Sequence, residues 1–343
     1  MIKLEILKLK AIYKEMLWGG DKLGKIYGKP IPSDRTGESW EAAEHKNGCS
    51  LIDGGKYDGM KITEALSDMN GMGTLNEGAE KFPLLIKFID ANDKLSVQVH
   101  PDDAYAAELE QGELGKTEMW YILDAAEGAN LIFGFNKDVT KEEFATAIKE
   151  GTLSEVLNFV DVKKGDVFFI PAGRVHAICE GLLIAEIQQN SDTTYRLFDW
   201  NRVDKNGNPR QLHIEKGVKV SDTTSSLGLE RTVALKYSDG DAERSMLAMC
   251  RYFAAEHIAV KGSAEIFCDE TSFNIITVLD GEGKINGLAA KAGDGFIVPA
   301  GFGTFSVTGD ITVIRSFVPS IDAERAKLEK AGFTAEEIDG IVK

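Results

Sequence analysis

The sequence predicts a mainly β chain made of two related β units, with small helical insertions and a helical C-terminal segment. Three observations carry this. From about 160 to 319 the chain runs as short strands between Gly, Asp and Asn turns, the punctuation of an antiparallel sheet protein. One phrase occurs twice in register: Gly165-Asp166, four residues, Pro171-Ala172-Gly173, then Gly293-Asp294, four residues, Pro299-Ala300-Gly301. The copies lie 128 residues apart, and at that spacing His176 of the first becomes Thr304 of the second. Helical periodicity, finally, is confined to a few short segments.

Taken in order, the elements are as follows. The N-terminal twenty residues place a charge every few positions and offer no apolar h-region, so they read as neither a secretory signal nor a membrane span. Residues 81–100 are strand-like, with a turn at Asp90-Ala91-Asn92-Asp93 between two apolar runs. Pro101 at the first helical position, followed by Asp102 and Asp103, predicts a helix start and opens an insertion at about 101–114. Strand patterning returns at 119–123 and 131–135. Thr140 and Glu143 are spaced as a capping box and open a second insertion at about 140–158. The last segment, 322–342, is amphipathic and helical, interrupted at Gly332. The expected division is a catalytic unit at 1–231, a second β unit at 232–319 and a helical tail at 320–343.

Composition narrows the function. A length of 343 residues is comfortable for two domains. The formal charge of −16 argues against nucleic acid or an anionic membrane as partner. An anionic substrate is still compatible, because surface charge is screened beyond about 8 Å at physiological salt. Cys49, Cys179, Cys250 and Cys268 are scattered without a Cys-x-x-Cys pair, the usage expected of reduced thiols in a cytoplasmic protein.

The chemistry-bearing residues gather in the first unit. Gln98 and His100 are two apart in a strand pattern and so share a face. Glu118 opens the next strand, and His176 closes the repeated phrase. Two imidazoles, a carboxylate and an amide oxygen make a set suited to Zn²⁺, with Fe²⁺ or Mn²⁺ as alternatives. Each residue alone has a plainer reading. A lone strand histidine is usually structural, Glu118 a solvated charge, and Gly-Asp-x4-Pro a turn signature. It is the combination, with a second copy lacking its histidine, that points to a metal. His45, His213 and His257 have no liganding neighbour at useful spacing and default to structural roles. In the second unit the stretch 273–278 offers no counterpart to Glu118, so that unit is expected to be metal-free scaffold.

Gly-Asp-x4-Pro-x4-His is similar to the second cupin motif, and the chain as a whole resembles the type I mannose-6-phosphate isomerases in their shorter bacterial form. The matching stretches include Trp18-Gly19-Gly20, Gly37-Glu38-Ser39-Trp40-Glu41, Ser96-Val97-Gln98-Val99-His100-Pro101-Asp102 and Gly115-Lys116-Thr117-Glu118-Met119-Trp120-Tyr121. They continue through Pro171-Ala172-Gly173-Arg174-Val175-His176 and Gln188-Gln189-Asn190-Ser191-Asp192-Thr193-Thr194-Tyr195-Arg196-Leu197. The resemblance runs from about residue 10 to 318 and leaves the tail unmatched. It implies two cupin-like β-barrels of jelly-roll type. It also implies one Zn²⁺ per chain held by Gln98, His100, Glu118 and His176, with Lys116, Asp192 and Arg196 facing a sugar phosphate.

The implied reaction moves a proton between C1 and C2 of an aldose phosphate through an enediol, and its developing charge needs fixed positive partners. Arg196 offers a planar donor fork for an oxyanion or a phosphate, and Lys94 and Arg202 are further phosphate candidates. Lys116 shares a face with Glu118 if the strand already begins there. Asp192, Lys116 and a zinc-bound hydroxide are each possible proton carriers. Ser96 and Trp40 are placed at the substrate by position in the family motif. On its own terms the Trp40 indole reads either as a stacking platform or as core, Asp192-Thr193-Thr194 as a hydrogen-bonded turn, and Arg196 as a surface ion pair. Rival functions are an isomerase of another aldose, an Fe-dependent cupin oxygenase using His100, Glu118 and His176, and a non-catalytic sugar-binding cupin. His176→Ala should abolish metal retention while Thr304→Ala leaves metal content unchanged, as read by elemental analysis of the purified variants.

Overall fold

The computed structural model describes residues 3–204 and 206–343, and the chain is mainly β: two jelly-roll units flattened into facing sheets and set back to back. In the first half a five-stranded sheet faces a six-stranded one. Trp18, Ile89, Trp120, Phe133, Phe168 and Ile184 fill the space between them. The outer side of the five-stranded sheet is covered by the helices Asp103–Leu109, Lys141–Glu150 and Ile214–Val220. The six-stranded sheet is buried on both faces. Its far side shares a core with the nine-stranded sheet of the second half, where Leu84, Phe88 and Ile187 join Phe253, Phe273 and Ile314. Every residue of Thr36–Ala42, Leu84–Ala91 and Leu182–Gln189 is therefore buried; the last two read as largely apolar runs rather than alternations, whereas Thr36–Ala42 buries Glu38, Ser39 and Glu41 beside Trp40.

The second half curls around Ile258, Val260, Ile276, Val278, Phe296 and Val313. Short strands were expected here, but Ala254–Cys268 and Gly303–Phe317 are each 15 residues long and pair along their whole length. The glycines that read as turns are bends within these strands. Gly262 faces Gly309 across the ladder, and a Cβ on Gly309 would lie 2.6 Å from the Glu282 carbonyl oxygen, so only glycine permits the fold-over.

Several other elements differ from expectation. The strand Leu84–Ala91 runs through Asp90 and Ala91, because Ala91 still pairs with Leu182 and Gly19. Pro101 precedes the helix: Asp102 is the N-cap, and its carboxylate accepts from the Tyr105 N–H at 2.8 Å. The Thr140–Glu143 capping box is present, but strand resumes at Leu157, two residues before the expected end of that insertion. The tail forms two helices, Ile321–Lys330 and Ala335–Ile341, hinged around Gly332, whose Leu328, Ile338 and Ile341 pack on Leu235, Met246 and Phe317. The strand Leu7–Lys10 belongs to the second-half sheet, paired with Gly295–Val298, before the chain returns to the first half at Ile12. Among the described residues no helix is long and apolar enough to cross a membrane.

Following the strand registers shows what the second half did with its interior. Ile170 pairs with Glu118, and Val298 in the second repeat pairs with Asn274, so Asn274 stands where Glu118 stands. The same registers place Arg315 opposite Ile276 as Glu186 is opposite Trp120, and Glu256 opposite Arg315 as Lys87 is opposite Glu186. The Lys–Glu pair of one half is thus an Arg–Glu pair of reversed sense in the other. Glu256 is 2% exposed, lies 3.3 Å from Arg315 and 3.4 Å from Arg244, and accepts from the Tyr237 hydroxyl at 2.7 Å. Burial opposes its ionisation, but the two guanidiniums and the tyrosine hold it below the usual carboxylate range. Glu256→Gln leaves the buried Arg315 without a carboxylate, while Arg244 keeps Asp239 at 3.1 Å, and should cost about 3 kcal/mol, measured by urea unfolding.

Candidate metal centre and cavity

The two sheets of the first half bring the predicted ligands together from opposite sides. Gln98 lies on Val97–Val99 and pairs with His176 on the neighbouring strand His176–Ile178; His100 follows directly after the first of these. Glu118 opens Glu118–Ala125 on the facing six-stranded sheet. One donor atom from each of His100, Glu118 and His176 falls within 4.8 Å of the others, and all three residues are buried. His100 Nε2 is 3.6 Å from Glu118 Oε2, and His176 Nε2 is 3.5 Å from Glu118 Oε1.

Both imidazoles are held in one tautomer. His100 Nδ1 contacts the Thr193 carbonyl and His176 Nδ1 the Arg174 carbonyl, each at 2.8 Å. A carbonyl only accepts, so each Nδ1 carries the proton and each Nε2 presents its lone pair to the common centre. Burial, then Lys116 and His176, holds His100 well below its ordinary pKa, and burial lowers His176 to about 4. Burial and the nearby Glu186 carboxylate push Glu118 up to about 7 against the pull of Lys116. His100 Nε2 and Glu118 Oε1 have no hydrogen-bond partner. Gln98 Nε2 lies 3.4 Å from His176 Nε2, and its Oε1 accepts from the Ser96 hydroxyl at 3.2 Å.

Above this cluster is a cavity of about 310 Å³. Ser96, Gln98, Lys116, Asp192 and Arg196 line it. Lys116 reaches it by a different route from the one predicted. The strand begins at Glu118, and Lys116 is held just outside it by its N–H to the Pro101 carbonyl, with Nζ 2.8 Å from Glu118 Oε2 and 3.9 Å from Glu186. For Asp192, burial opposes ionisation, but Lys87, the Asn47 amide and Lys116 hold it below the ordinary range. Arg196 donates through Nη1 to the Gln211 carbonyl, and its buried Nε has no partner.

Three predicted residues are not on the wall. Lys94 stacks its ammonium over Trp200 at 5.0 Å and faces another recess. Trp40 is core, 1% exposed, with its indole N–H on Glu38 at 2.6 Å and Lys87 over its ring. Arg202 is tied to Asp199 at 2.7 Å and Asp93 at 3.5 Å. In their place the cavity gains Glu38, Lys87, Glu186, Arg210 and His213. His213, expected to be structural only, accepts from the Arg196 N–H at 3.2 Å while lining the cavity. Lys87 and Glu186 had a readable signal, being single charges inside the apolar runs 84–89 and 182–187. Arg210 sits in a polar loop and had none.

The comparisons with known proteins agree with this architecture. Residues 6–147 match the model described as phosphomannose isomerase type I, catalytic domain, and 243–318 match mannose-6-phosphate isomerase, cupin domain. Mannose-6-phosphate isomerase ManA of Bacillus subtilis is 43% identical over 89% of this chain and 96% of its own length. The mannose-6-phosphate isomerase of Streptococcus mutans is 39% identical over 91% and 98%. A crystal structure of the mannose 6-phosphate isomerase from Bacillus subtilis superimposes with a TM-score of 0.82 at 36% identity, covering 91% of this chain and 99% of that one. The chain belongs to the type I phosphomannose isomerase family, whose members are aldose–ketose isomerases.

Proposed function

We propose that the chain is a zinc-dependent isomerase interconverting mannose 6-phosphate and fructose 6-phosphate. The observation that carries this is the buried His100–Glu118–His176 cluster, with both Nε2 lone pairs aimed at one point beneath a polar cavity. This nitrogen–oxygen donor set fits Zn²⁺, and Gln98 is the fourth donor once its amide turns so that Oε1 faces His176 Nε2. Bound there, the ion would polarise the sugar oxygens at C1 and C2 and lower the energy of an enediolate.

The chain's own residues supply the rest. Asp192, ionised at neutral pH and lining the cavity, takes the proton from C2 of the open-chain aldose and returns it to C1. Lys116 donates a proton to the C1 oxygen on which charge develops and takes one from the C2 hydroxyl, so the hydroxyl protons balance; its pairs with Glu118 and Glu186 hold it in place. The phosphate lies against Arg196 and Arg210. Arg196 keeps an unpartnered Nε, and Arg210 is oriented by two bonds to Asp199 of 2.7 and 2.5 Å. Ser96, bonded to Gln98, orients the sugar end nearest the metal site. All four cysteines are unpaired, which supports a reducing, cytoplasmic setting.

Chelated, metal-free protein should lose mannose 6-phosphate isomerisation in a coupled assay and regain it with zinc, with free mannose a far poorer substrate; full turnover by demetallated protein overturns the reading. The sign of the pH effect is also set. Metal binds the ionised carboxylate, and Glu118 in the metal-free chain holds its proton below about 7, whereas His176 is already neutral above about 4. Zinc binding should therefore release more protons at pH 6 than at pH 8. Titration calorimetry in buffers of differing ionisation enthalpy measures this, and a release no larger at pH 6 than at pH 8 overturns the raised titration of Glu118.

A further inference from the structure

We infer that Asn47, carried to the cavity rim by a β-hairpin, is a positioning residue for Asp192. The inference rests on the reading of Asp192 as the group that moves the substrate proton. The hairpin is the two-stranded ribbon Glu44–His45 and Gly48–Cys49, with Lys46 and Asn47 at its tip. Asn47 Nδ2 donates to Asp192 Oδ2 at 2.7 Å, and among the described residues it is the one hydrogen-bond donor to that carboxylate. Asp192 lines both the inner cavity and an outer recess of about 440 Å³ that the hairpin tip borders, so the contact is made at the entrance.

The hairpin is built to deliver this amide. Gly48 packs against the strand Ile12–Gly20, where an added Cβ would meet the end of the Ile12 side chain. At the base, Glu44 accepts from Thr63 through both carboxylate oxygens, and its carbonyl accepts from Asn190 Nδ2 at 2.7 Å. At the tip, Lys46 reaches Glu113 at 2.5 Å, and Lys14 donates to the Asn47 carbonyl from over the Trp40 ring. The hairpin therefore grips one short loop at two places, Asn190 and Asp192. The next residue of that loop is Thr193, whose carbonyl fixes the His100 tautomer.

A carboxylate that must approach a carbon-bound hydrogen needs one oxygen held and the other presented. Asn47 occupies Oδ2 and leaves Oδ1 for the substrate. A neutral amide does this without adding a charge that would pair with the carboxylate and pull it from the cavity. The buried cations that balance Asp192 are Lys87 and Lys116.

The test is a double-mutant cycle in the zinc-loaded enzyme using Asn47→Ala, Asn47→Asp and Asp192→Asn, with kcat and KM for mannose 6-phosphate and metal content measured for each. Asn47→Ala should lower kcat about tenfold with KM within about twofold and zinc retained, since one hydrogen bond to a charged group is removed. Asn47→Asp should fall further, through repulsion between like charges. The losses of Asn47→Ala and Asp192→Asn should be non-additive, because the amide acts only through the carboxylate. Wild-type kcat in Asn47→Ala, beside an impaired Asp192→Asn, overturns this inference alone, and additive losses overturn it equally. A fully active Asp192→Asn overturns the assignment of Asp192 itself, and the inference with it.

Discussion

The first half is governed by one constraint: its six-stranded sheet is buried on both sides, so a charge placed on it must be answered from within the protein. Lys87, Glu186 and Glu118 stand on adjacent strands of that sheet, on the side facing the cavity. Lys87 is 3.4 Å from Glu186 and 3.6 Å from Glu38, Lys116 bridges Glu186 and Glu118, and the Trp120 indole donates to Glu186 at 2.8 Å. Removing any of these leaves its neighbours as unpaired buried charges, which is far costlier than losing a surface pair. The ladder keeps Glu118 poised between protonated and ionised, with burial on one side of the balance and Lys116 on the other. The carboxylate thereby keeps Oε1 open to a cation while Lys116 holds Oε2.

The second half balances the corresponding buried positions with its own side chains. Asn274 and Arg315 occupy the positions of Glu118 and Glu186, and Glu256 that of Lys87. The Arg315 guanidinium bonds Asn274 Oδ1 and pairs with Glu256, so its interior needs no ion to be balanced. Thr304 at the position matching His176 is thus accompanied by different polar residues at the other matching interior positions. That leaves this half free to serve as a wall for the buried sheet of the other.

Much of this was legible in the sequence, and the limits are physical. The duplicated phrase, the Thr140–Glu143 capping box and the Gln98–His100 pair depend on local spacing, which a single chain displays directly. The bend glycines were misread as turns because Gly262 and Gly309 have the same positive φ whether the chain reverses or folds over in a long strand. Gln98 and His100 were legible as neighbours because strand periodicity sets them on one face. The cavity wall was found only in part, because what places Arg210 and His213 beside Arg196 is a loop held together by Asp199 and by backbone contacts. Lys94 and Arg202 have the chemistry to hold phosphate but are already engaged, Lys94 with an aromatic face and Arg202 with Asp199 and Asp93.

The strand Leu7–Lys10 leads off the chain yet is completed by Gly295–Val298, with Leu7 opposite Ile297. On the ribosome this first strand emerges with its main partner still almost the whole protein away. Until then its other neighbour is Leu51–Ile52, a two-residue strand, and its apolar Leu7 and Leu9 have no second-half core to enter. Closure of the N-terminal edge is therefore a late and long-range event, slow by its topology and exposed to mispairing while it waits. The two halves differ in chemistry but share the moment at which they become complete.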